Sequence, residues 1–154
     1  MDRKLKDEVY RDLVKKATAM LVRSYVPYSK FHVGAALLCK DGSIETGVNI
    51  ENSSYSPAIC AERTAIFKAV SEGKREFEAI AVVGCKEEHL STEEYKNGIL
   101  PDYCPPCGVC RQVMREFTDP LDFEIILAKS EDDYKVYKLC ELLPESFGPE
   151  NLGV

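Results

Sequence analysis

Seven cysteines constrain this chain more than any other feature of its sequence. An odd number cannot close into a complete set of disulfides, and in a reducing compartment cysteines serve as buried apolar residues, reactive thiols or metal ligands. The first eight residues, MDRKLKDE, are too highly charged to form the apolar part of a secretory signal. We therefore expect a cytoplasmic protein in which the spacing of the cysteines indicates their roles.

The size and charge of the chain indicate one domain that handles a small ligand. Its 154 residues, 45% of them apolar, suffice for a single core, so we expect one domain over residues 1–154. A net charge of -6 argues against a surface that neutralises nucleic-acid phosphates. The longest apolar runs, residues 33–39 and 79–85, are far shorter than the roughly 20 residues that cross a bilayer. We expect a small uncharged ligand, with neither nucleic acid nor membrane as a partner.

The apolar patterning predicts an α/β domain. Apolar residues recur every four positions over residues 5–21, which predicts an amphipathic helix that ends near Ser24. Two strand-like runs, residues 33–39 and 43–50, flank an Asp-Gly pair and predict an antiparallel hairpin. The remaining pattern predicts helices at residues 60–70 and 107–117, a long polar loop at residues 84–106, and strands at residues 77–83, 123–128 and, on a sheet edge, 134–139. Alternating strands and helices are typical of a three-layer α/β domain.

Three of the cysteines have the spacing of a metal site. Cys107 and Cys110 form a C-x-x-C at the start of a predicted helix, where both sulfurs can reach one ion. Cys60 also stands at a predicted helix start, and three thiolates leave the fourth position of a tetrahedral zinc ion open, as in catalytic zinc sites. The partial positive charge of a helix N-terminus favours the thiolate form that zinc requires.

Two charged residues next to Cys60 suit this chemistry. Glu62 lies on the same first turn, where its carboxylate can accept a proton from a water whose pKa zinc lowers from about 15.7 toward about 7. Arg63, one turn from Cys60, can hydrogen-bond the sulfurs and draw off part of their negative charge. Each of these residues alone would be an ordinary surface group. Their joint placement around three spaced cysteines favours the catalytic interpretation.

The other four cysteines leave one alternative open. Cys104 also forms a C-x-x-C, with Cys107, and as a fourth thiolate it would close the site into a structural one. The two prolines between them favour an extended approach that carries Cys104 away from the metal. Apolar surroundings predict buried side chains for the rest, Cys39, Cys85 and Cys140. We also expect the His32 side chain to point outward from its strand.

Two segments resemble the zinc-dependent cytidine deaminases: CAERTA at residues 60–65 and PCGVCRQV at residues 106–113. With a cysteine in the first ligand position, the sequence is similar to members of the short-chain branch of that family, which act on free nucleosides. Most of the chain shares the resemblance, with the family's first strand at residues 31–36, its ribose-binding strand end at 49–52 and its C-terminal segment at 142–147. Residues 87–103 depart from it, being longer and more acidic than expected.

The resemblance implies a three-layer α/β/α fold with a five-stranded mixed sheet, assembled as a homotetramer with sites at subunit contacts. It implies one zinc ion per subunit, held by Cys60, Cys107 and Cys110, with Glu62 as proton shuttle and Arg63 tuning the thiolates. The residues that it implies for the nucleoside are Asn49 and Glu51 at the ribose 3′-hydroxyl, Phe31 at the base, the backbone of Ala61 at the pyrimidine, and Tyr55 and Phe147 from a neighbouring subunit.

The implied activity is hydrolytic deamination of cytidine and deoxycytidine to uridine and deoxyuridine, with release of ammonia, in pyrimidine salvage. It requires no redox or nucleotide cofactor. A blasticidin S-type antibiotic deaminase is the nearest alternative, and we expect such an enzyme to lack the carboxylate of Glu51. A non-catalytic zinc module, which would use Cys104 and would not need Glu62, is a second. A thioredoxin-like protein is disfavoured because its C-x-x-C follows the first strand of the fold, and a nucleic-acid deaminase is disfavoured by the net charge.

Overall fold

A computed structural model describes residues 3–154. Residues 1 and 2, which belong to the charged N-terminal segment and to the expected 1–154 domain, lie outside the described residues. The strands are β1 (Phe31–Cys39), β2 (Ile44–Val48), β3 (Phe77–Lys86), β4 (Glu124–Ser130) and β5 (Asp133–Lys138). They form one sheet in the order β2-β1-β3-β4-β5. β3 and β4 are parallel and the other neighbours are antiparallel, so the predicted five-stranded mixed sheet is confirmed.

Helices cover both faces of this sheet. The helices are α1 (Arg3–Met20), α2 (Ala61–Ser71), α3 (Glu93–Lys96), α4 (Gly108–Phe117) and α5 (Leu139–Leu142). α1 packs on one face, and α2 and α4 pack on the other, which confirms the three-layer α/β/α prediction. The predicted elements all occur, with ends displaced by a few residues. No helix within residues 3–154 is long and apolar enough to cross a membrane.

Alternate residues of the central strands supply two separate cores. On β1, Leu37 belongs to the core under α2 and α4, whereas Ala36 belongs to the core under α1. A central strand covered on both faces has no solvent side, so its residues read as an apolar run. The prediction that His32 points outward is wrong for this reason. Its side chain is buried, with Nδ1 2.9 Å from the carbonyl oxygen of Leu21.

Residues 87–103, predicted as part of a polar loop, fold against the α1 layer. β3 continues to Lys86, and a 3-10 turn (Glu87–Ser91) and α3 follow. Leu100 is buried in the same apolar cluster as α1, and its backbone N–H donates to the carbonyl of Lys129 at 2.7 Å. The loop prediction is wrong here because tertiary packing, and not a periodic apolar pattern, holds this segment.

A glycine sets how closely β2 approaches α2. A Cβ atom at Gly47 would lie 2.4 Å from the carbonyl oxygen of Ala61 and 2.6 Å from the backbone nitrogen of Ala65. Both distances are far shorter than van der Waals contact, so no side chain fits at this position. The first turn of α2 therefore rests directly on the strand backbone.

A buried carboxylate fastens α1 to the sheet. Glu124 begins β4 and accepts hydrogen bonds from Lys6 Nζ at 2.6 Å, Lys138 Nζ at 3.0 Å and the Tyr10 hydroxyl. Burial acts to raise its pKa, yet these three donors hold the pKa of Glu124 below its usual value. Burial and the bond to Glu124 raise the pKa of Tyr10 to about 12. The cluster links α1 to the neighbouring strands β4 and β5, more than 100 residues further along the chain.

Candidate active site and metal centre

The two helices on the α2/α4 face begin at the same end of the sheet. α2 leads into β3 and α4 leads into β4, and these strands are parallel neighbours. Both helix N-termini therefore lie beside the carboxyl ends of the strands. Cys60 is the N-cap of α2 and Cys107 is the N-cap of α4. The first N–H groups of each helix have no partner within the helix, so this end of the sheet attracts negative charge.

The sulfur atoms of Cys60, Cys107 and Cys110 lie within 4.8 Å of one another. Cys60 Sγ is 3.7 Å from Cys107 Sγ, and Cys107 Sγ accepts a hydrogen bond from the backbone N–H of Cys110 at 3.5 Å. Zinc–sulfur bonds of about 2.3 Å in a tetrahedron place sulfurs about 3.8 Å apart. The donor set and its spacing fit one zinc ion with one coordination position left over.

Hydrogen bonds stabilise negative charge on these sulfurs. The pKa of the Cys60 thiol is lowered to about 5, first by the hydrogen bond from the Cys110 thiol and then by Arg63. Interaction with Cys60, together with burial, raises the pKa of Cys110. Arg63 Nη2 donates to Cys60 Sγ at 3.3 Å, whereas its buried Nε has no hydrogen-bond partner within residues 3–154. A guanidinium beside the sulfurs favours the thiolates that a metal binds.

Glu62 is the buried acid of this region. It is 3% exposed and lies on the first turn of α2, two residues after Cys60. Burial raises its pKa above the ordinary value, and negative charge on Cys60 adds to the shift. The ion pairs formed within residues 3–154 do not include Glu62. A buried carboxyl group with a raised pKa is suited to accepting a proton and passing it on.

Cys104 does not join the three sulfurs. Among the described residues, Cys60, Cys107 and Cys110 form the one group of three or more metal-binding side chains, so a closed four-thiolate site is not formed. A Cβ atom at Gly84 would lie 2.8 Å from Cys104 Sγ and 3.1 Å from a ring carbon of Phe31. Burial raises the pKa of Cys104 to about 12, which keeps the thiol neutral.

A protein-family model covers these residues. It describes the cytidine and deoxycytidylate deaminase zinc-binding region, and it matches residues 7–121. The chain belongs to this deaminase family. A curated relative, the cytidine deaminase of Halalkalibacterium halodurans, is 45% identical over 141 residues, which are 92% of this chain and 96% of that protein. The crystal structure of cytidine deaminase from Burkholderia pseudomallei superposes with a TM-score of 0.72 at 43% identity, over 88% of this chain and 97% of that one.

Antibiotic deaminases are more distant relatives of this deaminase-family chain. The blasticidin-S deaminase of Bacillus cereus is 35% identical over 106 residues, which cover 69% of this chain and 71% of that protein. Both the identity and the matched length are lower than for the cytidine deaminase of H. halodurans. The relationship to cytidine deaminases is therefore the nearer of the two.

In this member of the deaminase family, Asn49 ties the end of β2 to the start of β1. Its Nδ2 donates to the carbonyl of Phe31 at 2.8 Å, and its Oδ1 accepts from the N–H of Val33 at 2.9 Å. The next residue, Ile50, pairs with Ile59 in an isolated β-bridge directly before Cys60. The residues expected at the sugar are thus connected through backbone hydrogen bonds to the helix that carries Cys60 and Glu62.

Glu51 holds the turn that precedes β1. Its Oε1 accepts from the backbone N–H groups of Tyr28 and Ser29, each at 3.1 Å. Partial burial acts against ionisation, yet hydrogen bonds from Ser29 and Tyr28 hold the pKa of Glu51 below its usual value. The carboxylate is therefore charged at neutral pH, and its Oε2 is oriented by a bond made through the other oxygen.

The remaining residues expected at the nucleoside divide into two groups. Phe31 begins β1 next to Asn49, and Ala61 is the buried first residue of α2, whose N–H has no partner within the helix. Tyr55 and Phe147 are 84% and 58% exposed. Both side chains therefore lie largely in solvent on a single chain.

The sequence analysis did not identify two residues whose contacts hold elements next to the site, Gly84 and Arg115. Gly84 separates Phe31 from Cys104, and Arg115 is buried on α4. The partners of Arg115 are Ser146 and Glu150, which lie 31 and 35 residues further along the chain. No periodicity or short motif reports a contact over that separation.

Proposed function

We propose that this chain is an enzyme that hydrolyses the 4-amino group of cytidine and deoxycytidine, giving uridine or deoxyuridine and ammonia. Three clustered sulfurs beside a buried carboxyl group, Glu62, carry the proposal, because they combine a metal site with a proton carrier on one helix turn. In the reaction, water adds its oxygen to ring atom C4, the bond from C4 to the amino nitrogen breaks, and the nitrogen leaves as ammonia.

In this proposal the zinc ion is held by Cys60, Cys107 and Cys110. When bound, zinc supplies Lewis-acid activation of water at neutral pH. The Glu62 carboxylate accepts the proton that the attacking water loses and delivers it to ring atom N3. Glu62 then accepts the second proton from the hydroxyl now on C4 and passes it to the amino nitrogen, which leaves as ammonia while the C4 carbonyl forms. Arg63 holds the Cys60 sulfur and offsets the negative charge of three thiolates.

The sugar and base would be held by the residues at the start of β1. The free oxygen of Glu51 accepts a hydrogen bond from the ribose 3′-hydroxyl, and the remaining N–H of Asn49 donates to the same hydroxyl. Phe31 packs against the base, and the backbone N–H of Ala61 donates to the pyrimidine carbonyl. Because Asn49 and Glu51 are fixed by backbone contacts, sugar binding aligns C4 with the water that attacks it.

The assembly is proposed as a homotetramer of 1–154 domains. Tyr55 and Phe147 are exposed aromatic side chains, and such residues are typical of subunit contacts. Each would reach the nucleoside site of a neighbouring subunit. Seven free cysteines, three of which must remain reduced to bind metal, suit the cytoplasm, where the reaction would return nucleosides to pyrimidine salvage.

Loss of cytosine absorbance, followed together with ammonia release, tests the activity directly. The protein with one zinc per chain should turn over cytidine and deoxycytidine, lose activity on chelation and regain it on zinc addition. Blasticidin S as a third substrate separates the antibiotic alternative, which predicts turnover of that compound and not of cytidine. A zinc-loaded protein inert toward all three would overturn the proposal and favour a non-catalytic module.

Two cysteines of one segment give a matched test of the metal site. Cys107→Ala removes a proposed ligand, so zinc content and activity should fall by at least tenfold together. Cys104→Ala removes a neutral thiol outside the sulfur cluster and should retain one zinc per chain. Equal zinc loss in both variants would favour the four-thiolate module.

A further inference from the structure

We infer that Arg115 is a positioning residue that fixes Phe147 on the surface of its own subunit, for presentation to a neighbouring subunit, by clamping residues 146–150 onto α4. The functional consequence rests on the proposed role of Phe147 at a nucleoside site. The placement itself follows from the contacts of one chain. α4 is anchored in the core through its buried residues Cys110 and Met114, so a tail clamped to this helix is held at a fixed place on the subunit surface.

The guanidinium of Arg115 contacts the tail on both sides of Phe147. Arg115 is 7% exposed, although arginine is rarely buried without partners. Its Nε donates to Ser146 Oγ at 2.9 Å, and its Nη2 forms an ion pair with Glu150. One group precedes Phe147 and the other follows it, so a single side chain restrains the tail at two points.

Gly148 allows the tail to cross this guanidinium. A Cβ atom at Gly148 would lie 2.3 Å from Arg115 Cζ and 2.3 Å from its Nη2. The backbone at Gly148 is extended, so the need for glycine is one of space and not of backbone conformation. Its N–H donates to Asn151 Oδ1 at 2.8 Å. The tail backbone therefore lies directly against the Arg115 side chain.

A third contact fixes the backbone of Phe147 and leaves its ring outside. Gln112 Nε2, one turn before Arg115, donates to the carbonyl of Phe147 at 2.9 Å. The ring is 58% exposed. An exposed aromatic ring on a backbone held by three contacts is presented to a partner at a fixed place, which lowers the entropy cost of binding against it.

Arg111 is the natural comparison on the same helix. It donates to the carbonyls of Pro106 and Leu142. Both precede Glu145, where the backbone changes direction with a positive φ of 48°. Arg111 thus fixes the loop that leads into α4 and the end of α5. Arg115 alone among the arginines of residues 3–154 forms a hydrogen bond or ion pair with the segment that carries Phe147.

Because the sequence contains no tryptophan, the fluorescence of one introduced tryptophan reports only on the segment that carries it. Phe147→Trp places that reporter on the tail, and time-resolved anisotropy of the introduced indole then measures its local motion. Adding Arg115→Ala, or the milder Ser146→Ala, should introduce a fast depolarising component and raise acrylamide quenching about twofold or more. Arg115→Lys, which keeps the charge facing Glu150, should restore part of the restraint. Arg11→Ala, which removes an exposed ion pair with Asp132, is the control and should change neither.

Kinetics in the protein that retains Phe147 give the second readout. Arg115→Ala and Gly148→Ala should raise the KM for cytidine roughly tenfold, since displacing a substrate-contacting group by about 1 Å is costly, while kcat changes little and zinc stays at one per chain. Unchanged anisotropy of the indole reporter in both Arg115→Ala and Ser146→Ala would overturn the inference. If the reporter loosens but Phe147→Ala leaves KM unchanged, the clamp stands and the proposed role of Phe147 fails.

Discussion

Two glutamates on opposite faces of the sheet are almost equally buried and are shifted in opposite directions. Glu62, on the α2/α4 face, is 3% exposed, and burial raises its pKa. Glu124, on the α1 face, is 7% exposed, and against the same effect of burial its three donors lower its pKa. The protonation of a carboxyl group therefore depends on the donors around it as well as on the depth of its burial.

The difference separates a group that carries out chemistry from one that holds the fold. Glu124 is compensated by two ammonium groups and a hydroxyl, so it is fixed in its charged form. Glu62 accepts no hydrogen bond from an ammonium group within residues 3–154, and burial favours its protonated form against smaller opposing effects that include Arg63. A buried acid in these surroundings is unfavourable in its charged form and suited to proton transfer.

Glu62→Gln is expected to have the largest effect. The amide has nearly the same shape but cannot carry the proton, so kcat should fall on the order of 100- to 10,000-fold. Zinc content should stay at one per chain, and the free energy of unfolding should not decrease, because an uncompensated buried acid has been removed. Glu78→Gln, an exposed change on β3, is the control. Near-normal turnover would sink the proton-shuttle assignment.

Glu51→Gln tests a carboxylate that combines a structural and a functional role. One oxygen of Glu51 is held by backbone N–H groups, as Glu124 is held by its donors, and the other is proposed to bind substrate. The loss of one charge-assisted hydrogen bond, worth about 1.5–3 kcal/mol, should raise the KM for cytidine roughly 10- to 100-fold. Zinc content and stability should be close to those of the parent protein. Cytidine kinetics identical to the parent would remove Glu51 from sugar binding.

Glu124→Gln should have the opposite effects to Glu62→Gln: a loss of stability with little change in turnover. Two ammonium groups lose their partner, so the free energy of unfolding should fall by about 1–3 kcal/mol, a modest cost because both lysines are partly exposed and can turn to water. Denaturant unfolding of the zinc-loaded protein measures this change. Turnover of cytidine should remain within about twofold; a loss of kcat comparable with that of Glu62→Gln would break the distinction between the two sites.

The smallest expected effect is on the acid limb of stability. The pKa of Glu124 is lower in the folded chain than the unfolded value of about 4.3. Its contribution is therefore fully present above that unfolded pKa and is lost as pH falls through the folded pKa. Glu124→Gln should flatten the decline of stability below about pH 4, relative to Glu78→Gln. An unchanged slope would mean that other carboxylates control acid unfolding.

Local pattern suffices for most of the fold and for the metal site. Cys60, Cys107 and Glu62 occupy helix starts that spacing and apolar periodicity indicate. The sequence does not reveal Glu124 or Arg115, because their partners lie up to 118 and 35 residues away. The prediction for His32 is wrong because alternation identifies the exposed face of an edge strand and fails on a strand covered on both sides.

The close approach of β2 to α2 also limits which substitutions the sequence can tolerate. Gly47 touches neither the sulfurs nor the residues at the start of β1, yet a single added methyl there would meet the backbone of Ala61 and Ala65. The helix start would have to move, and Cys60 and Glu62 would move with it. Selection should therefore purge substitutions at Gly47 as strictly as those at the metal ligands, although this residue takes no part in the chemistry.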